Sequence, residues 1–283
     1  MDVLRTFTAE WPGNQFFNLA FEEGFYSVAR EPTIRFWRND RVVIIGRFQS
    51  PVLEVNAVEA LGLGVRLVRR FTGGGAVYHD LGNLNYALAL PGYSLDVEEA
   101  FRLVGEAVAE ALKDLGVEDA YYRPLNDIEV GGLKVSGMAA HRSHDRIFVH
   151  GAMLLSSDIS VLWRVLKVSE VKLSDKRFTG SRVKRVVTVS EALGRAVSPE
   201  EVIDAILEVL ARRMRLRIKQ SDVGREELVK ALDLYRSRYS RLEWNLAYVE
   251  ELRDLLNEEE YEALKEISKP SPQQEEVLSS WMK

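Results

Sequence analysis

The chain has no cysteine, which excludes disulfides, thiolate metal sites and cysteine nucleophiles together, whatever the compartment. No stretch approaches the roughly 18 apolar residues of a membrane-spanning helix, so no membrane partner is expected. The start, Met1 to Thr6, lacks the basic-then-apolar pattern of a secretory signal, and cytoplasmic residence is the resulting expectation. A large excess of either charge is lacking too. The net value of −5 provides no basic field for nucleic acid. The four histidines, His79, His141, His144 and His150, show no recognised metal spacing, so zinc is not expected. Neither a Walker loop nor a Gly-x-Gly-x-x-Gly dinucleotide fingerprint occurs. Internal repeats and long low-complexity segments are also missing.

What is present reads as an ordered globular protein: 46% hydrophobic, 29% charged and 9% aromatic residues over 283 positions. The Arg/Glu-rich composition without cysteine is a thermophile-like pattern. Ile34 to Trp37 and Val42 to Ile45 are β-prone runs separated by Arg38-Asn39-Asp40, which reads as a hairpin or similar turn. Further strands are expected at Val65 to Val68, Asn85 to Leu90 and Phe148 to Leu155. Asp127 to Val130 and Lys134 to Gly137 bracket a Gly131-Gly132 turn.

Val97 to Leu115 carries its apolar residues on one helical face, with Asp96 and Glu99 as a capping pair. Pro199 to Met214 starts with a capping box at Ser198 and proline at the first helical position. Asn18 to Ala29 is expected to be helical as well. Strands and helices do not alternate regularly, which argues for an α+β fold with mixed or mostly antiparallel sheets packed with helices. The expected organisation is a catalytic domain over residues 1–245 and a short helical C-terminal appendage over 246–283. The latter is too short for a core of its own.

Four segments could carry chemistry. The first is Arg69 to Asn83, where Gly73, Gly74 and Gly75 let successive backbone amides point at one anion. Arg70 could fork onto a phosphate or a carboxylate, and His79 and Asp80 add titratable groups. A plain tight turn is the alternative. The second is Asn126-Asp127 followed by Lys134 to Gly137. A lone lysine among small and apolar residues can bridge a carboxylate and an α-phosphate. Asp127 could orient that ammonium or contact Mg2+; an exposed hairpin lysine beside ordinary turn residues is the alternative. The third is His150-Gly151 at the end of a strand, where a histidine that is simply part of the core is the competing reading. The basic run Lys172 to Arg185, around Thr179-Gly180-Ser181, could close over a nucleotide or be a solvated loop.

Together these segments resemble the lipoate–protein ligase A family of the biotin/lipoate ligase superfamily. The resemblance runs through Asn14 to Glu23, Phe36 to Asn39 and Val43 to Gln49. It is strongest at Arg70 to Asn83, at Asn126-Asp127 with Lys134 to Gly137, and at His150-Gly151, and it ends at Tyr239 to Asn245. The biotin ligase signature Gly-Arg-Gly-Arg is absent; Gly46-Arg47 is only faintly similar.

The resemblance implies a biotin/lipoyl ligase-like catalytic domain and a two-step reaction. Lipoate and Mg-ATP give lipoyl-adenylate and pyrophosphate; a lysine amine on an acyl-carrier lipoyl domain then attacks the mixed anhydride. The implied carriers are E2 subunits of 2-oxoacid dehydrogenases and the H protein of glycine cleavage. Lys134 and Asp127 are the implied catalytic pair. Arg70, Gly75, Ala76, Val77, Tyr78, Asn83, Thr179 and Ser181, with Lys134, are the implied nucleotide contacts. Gly74, Gly75, His79, Trp37, His150 and Gly151, again with Lys134, are the implied lipoate contacts. Trp37, Val43, Ile45 and Val77 are expected to wall the slot for the aliphatic tail.

Related octanoyltransferases pass the acyl group through a cysteine thioester, which this chain lacks. The bacterial one-piece ligases carry a full C-terminal accessory domain, whereas the stretch after Asn245 is short. In bipartite members a separate small protein supplies that domain. A ligase preferring octanoate and a non-catalytic carrier-binding module are the competing functional readings.

Overall fold

The computed structural model describes residues 3–167 and 186–281. Eleven strands form two sheets among these residues: β1 Val3–Thr8, β2 Thr33–Trp37, β3 Val42–Ile45, β4 Arg66–Arg69, β5 Val77–His79, β6 Asn83–Pro91, β7 Ala120–Arg123, β8 Asp127–Val130, β9 Leu133–Ser143, β10 Arg146–Leu154 and β11 Arg217–Gln220. The large sheet runs β11-β1-β2-β6-β10-β9-β8-β7, and the small one runs β4-β3-β5. In the large sheet only the pairs β1–β11 and β1–β2 are parallel. This is the expected α+β class with mixed sheets.

Alternation along the strands separates the two faces of the large sheet. Phe36, Tyr86, Leu88 and Val149 join the core under the helices Val97–Asp114 and Pro199–Met214. Their neighbours Trp37, Ala87, Ala89 and Phe148 face the other way, onto the phenylalanine-rich helix Gln15–Val28 and the small sheet. Both long helices carry the capping boxes expected at Asp96/Glu99 and Ser198/Glu201. Strands β8 and β9 form the expected hairpin about Gly131-Gly132.

The pairing expected for the first two β-prone runs is corrected. Thr33–Trp37 belongs to the large sheet and Val42–Ile45 to the small one, so they are not a hairpin. The intervening turn is held from the side by the helix Gln15–Val28. Asn18 Nδ2 donates to the Arg38 carbonyl at 3.1 Å and to Asn39 Oδ1 at 2.8 Å. Gln15 donates to the Asp40 carbonyl. Tertiary hydrogen bonds therefore send the chain from one sheet to the next, which a turn-propensity argument does not detect.

The segment after Asn245 packs against the small sheet. Leu264 and Ile267, from the helix Glu258–Ile267, share a hydrophobic cluster with Val43, Ile45, Val65 and Leu67. The last helix, Pro272–Trp281, returns to the start of the first: Gln274 Nε2 donates to the Gly13 carbonyl at 2.7 Å and to Gln15 Oε1 at 2.8 Å.

Candidate functional site

The glycine segment links β4 to β5 and lies over the large sheet. Gly74 adopts φ +92, which a residue with a Cβ rarely takes. A Cβ at Gly74 would lie 3.7 Å from the Cβ of Ala139, so this part of the loop sits over β9. Residues 73–77 remain at least partly accessible, whereas Tyr78 and His79 are buried. The Tyr78 ring packs into the cluster shared with the C-terminal helices, away from the loop's open side.

Arg70 is almost fully buried beneath this loop. Its Nη2 donates to the carbonyls of Gly73 at 2.6 Å and Gly75 at 2.8 Å, and its Nη1 to the Ile44 carbonyl at 3.3 Å. Its Nε donates to Thr72 Oγ1 at 3.1 Å. Burial draws its pKa down to about 10, which still leaves it cationic at neutral pH. A trans peptide points its N–H opposite to its C=O. Holding the Gly73 and Gly75 carbonyls on the Arg70 side thus aims the N–H groups of Gly74 and Ala76 away from it. The guanidinium shapes an anion-facing loop from below.

Lys134 stands at the start of β9. Its Nζ lies 2.9 Å from Asp127 Oδ1 on the neighbouring strand β8. The space it occupies exists because residue 137 is glycine: a Cβ there would overlap Lys134 Nζ and Cε and lie 3.4 Å from Asp127 Oδ1. Positions 137 and 139 share a face of β9, about 7 Å apart. The ammonium and the glycine loop are therefore neighbours over one stretch of sheet. His150 pairs with Ala139 across the β9–β10 ladder and points to the same side. The Lys134 backbone carbonyl also accepts from Val187 N at 3.0 Å, so the chain returns here just after the basic segment.

His150 is bonded on both ring nitrogens, Nε2 to Thr72 Oγ1 at 2.8 Å and Nδ1 to Glu22 Oε2 at 3.0 Å. Gly151 lies under the buried Tyr86 ring, whose hydroxyl bonds Ser136 Oγ at 3.0 Å. Further polar atoms in this region have no hydrogen-bond partner among the described residues: Glu22 Oε1, both ring nitrogens of His79, Trp37 Nε1 and Asn83 Oδ1. Such groups are rare in native interiors. Burial, with the Arg70 charge adding to it, pushes His79 down to about 3, so its ring is neutral.

The structure thus brings Arg70, Gly74, Gly75 and His150 onto one face with Lys134 and Asp127, whereas Gly151, next along β10, faces the Tyr86 ring on the other side. Val77 and His79, on the small sheet, face Trp37 of β2 across the same cluster, with Trp37 and His79 ring centroids 6.3 Å apart. The expected apolar wall is corrected in part. Val42 and Ile44 share the cluster of Trp37 and Val77, while Val43 and Ile45 point to the opposite side, onto the C-terminal helices. Strand alternation forbids consecutive residues from lining one slot. Thr179 and Ser181 lie outside the described residues. Sequence reasoning misses Glu22, Thr72 and Gly137 as individual site residues. A signal for Glu22 is available: it is a carboxylate one turn after Asn18 on the buried side of a phenylalanine-rich helix.

The sequence profile of the lipoyl protein ligase A/B catalytic domain matches residues 14–211. Lipoate-protein ligase A subunit 1 of Thermoplasma acidophilum is 34% identical over 255 residues, covering 86% of this chain and 96% of the relative. The structure of a bipartite lipoate protein ligase studied with its E2 lipoyl domain, from the same organism, superposes with a TM-score of 0.77 at 33% identity, covering 91% of this chain and 98% of that one. A lipoate-protein ligase A crystallised with ATP superposes with a TM-score of 0.76 at 33% identity, covering 87% and 99%.

Proposed function

The chain belongs to the lipoyl protein ligase A/B catalytic-domain family, and on that footing we propose that it activates lipoate with ATP and transfers the lipoyl group to a lysine of a carrier domain. The supporting observation is the placement of the Lys134 ammonium beside the glycine loop, over one face of β9. In the first step a lipoate carboxylate oxygen attacks the α-phosphorus of ATP and pyrophosphate leaves. In the second, the carrier lysine's amine attacks the acyl carbon of the mixed anhydride, AMP leaves, and the amine loses a proton. Lys134 contacts the acyl oxygen and the α-phosphate, and stabilises charge there in both steps.

The glycine loop from Arg70 to Asn83 receives the nucleotide. Gly75, Ala76 and Val77 present backbone to it, and Tyr78 contributes only its main chain, because its ring is in the core. Thr179 and Ser181 belong to the basic segment proposed to contact the adenylate. Trp37, His79 and His150, with Gly74, surround the acyl chain, and Gly151 can add only its main chain there because it faces Tyr86. The unpartnered Trp37, His79 and Asn83 atoms fit a site whose polar partners arrive with the substrates.

Mg2+ enters with the triphosphate. An ion of this kind keeps phosphate and water ligands and needs only one or two carboxylates. Asp127 is the carboxylate placed to contribute, and among the described residues no group of three potential ligands forms a resident metal site. With no cysteine, a thioester relay is unavailable to this chain, and adenylation is the route that needs no enzyme nucleophile.

Among the described residues no helix is long and apolar enough to cross a membrane, and a cytoplasmic lipoyl domain is the proposed partner. A second reading, that adenylation requires a separate accessory protein, is favoured by the bipartite relative. One experiment tests both. Pyrophosphate release is measured with the purified chain, ATP and either lipoate or octanoate, followed by the mass of an apo lipoyl domain. Release with lipoate by the chain alone supports the ligase and removes strict dependence on a partner. No release and no carrier mass gain, even with an accessory protein supplied, overturns the ligase reading.

A further inference from the structure

A line of four polar side chains connects the interior of the first helix to the glycine loop. Glu22 is fully buried on the helix Gln15–Val28. Its Oε2 meets His150 Nδ1 at 3.0 Å, His150 Nε2 meets Thr72 Oγ1 at 2.8 Å, and Thr72 Oγ1 meets Arg70 Nε at 3.1 Å. Arg70 in turn holds the carbonyls of Gly73 and Gly75.

The direction of this chain follows from what each group can do. Arg70 has only donors, so Thr72 Oγ1 accepts from it. The buried Thr72 hydroxyl must then donate its own hydrogen, and His150 Nε2 is the acceptor placed for it among the described residues. With Nε2 accepting, the single ring hydrogen sits on Nδ1 and is donated to the Glu22 carboxylate. The hydrogen-bond network selects one neutral tautomer.

We infer that Glu22 is a positioning residue for the nucleotide step: acting through His150 and Thr72, it sets the orientation of Arg70 and hence the shape of the glycine loop. This rests on the ligase reading above only for its kinetic consequence. The physical reason is that Arg70 must be held in one rotamer for its two Nη2 contacts to turn the Gly73 and Gly75 carbonyls inward. Its Nε contact to Thr72 Oγ1 is the link that reaches back to the helix. Without the Glu22 carboxylate, His150 can adopt the opposite tautomer. Thr72 must then accept from both sides and loses its outlet.

The test combines a spectroscopic readout with kinetics. 15N NMR of histidine-labelled protein reads the His150 tautomer in the wild type, E22Q, E22A and T72V. The wild type is expected to carry hydrogen on Nδ1 only. E22Q, whose amide oxygen can still accept from Nδ1, is expected to keep that tautomer and most of the activity. E22A is expected to lose it and to raise KM for ATP at least tenfold, with a smaller change in KM for lipoate. T72V breaks the line in the middle and is expected to raise KM for ATP similarly; it stands in if E22A fails to fold. A wild-type ring with hydrogen on Nε2, or doubly protonated, overturns the inference. So do unchanged ATP kinetics in both E22A and T72V. If the wild type releases no pyrophosphate under any condition, the ligase reading fails, and the tautomer measurement still judges the relay by itself.

Discussion

The Lys134 ammonium fills the space that a side chain on Gly137 would need, and it meets Asp127 there at 2.9 Å. One glycine thus decides where a positive charge stands. G137A is expected to displace the ammonium and lower carrier modification at least tenfold. Its melting temperature should stay close to the wild type's, because the strand ladder is untouched. Activity within a factor of two of wild type would show that the slot is not needed.

K134A should reduce carrier modification by well over tenfold, which corresponds to more than about 1.4 kcal/mol of transition-state stabilisation. K134R should not restore it, since a planar guanidinium is bulkier than the ammonium and differently directed. Intact-mass measurement of an apo lipoyl domain over time checks both. A K134A enzyme with wild-type turnover would return the non-catalytic, carrier-binding reading to contention.

His79 makes the fold sensitive to acid. Its folded pKa is depressed to about 3 from a reference of 6.5. The unfolded chain therefore takes up a proton below pH 6.5 that the folded chain refuses. The stability contribution is fully present above pH 6.5 and is lost progressively as pH falls toward 3. Between pH 7 and pH 5 the loss is on the order of 2 kcal/mol. H79F should remove that part of the slope, and its urea midpoint should drop less than the wild type's between those two pH values. Equal drops would refute the assignment.

Arg69 joins two segments that are distant in sequence. Its guanidinium donates to the carbonyls of Gly46, Arg47 and Gln49 on one side, and to those of Trp244, Asn245 and Ala247 on the other. R69A leaves several of these buried acceptors unmatched and is expected to destabilise by about 3 kcal/mol or more. R69K should recover little, because three donors at one point cannot span both segments. Urea unfolding measures the loss, and proteolysis near Asn245 should quicken in step. An R69K variant as stable as wild type would contradict this account.

Removal of residues 246–283 would uncover Val43, Ile45 and Leu67, which the helix Glu258–Ile267 now covers. The shortened chain is expected to aggregate or to melt well below the full-length protein, as size-exclusion chromatography and thermal scans would show. A truncated chain that is monomeric and equally stable would make the C-terminal segment dispensable to the fold.

Several elements were legible from sequence because their causes are local. Capping residues and 3.6-residue periodicity located the two long helices. The Gly131-Gly132 turn located the hairpin that carries Asp127 and Lys134. Glycines beside arginines marked the loop, and the absence of cysteine excluded one chemistry outright.

Other features depend on contacts between residues far apart in the chain, and only the tertiary structure decided them. Whether β2 and β3 pair was settled by Asn18 and Gln15 reaching across to residues 38–40. Whether Val43 lines a slot or faces the C-terminal helices was settled by which sheet its strand joined. Arg70 reads in sequence as a phosphate fork, yet its donors go to loop carbonyls and to Thr72. Glu22 had no visible role until the β10 strand brought His150 against it. Local propensity is encoded within a few residues, whereas the partner of a buried charge is chosen by the packing of the whole chain.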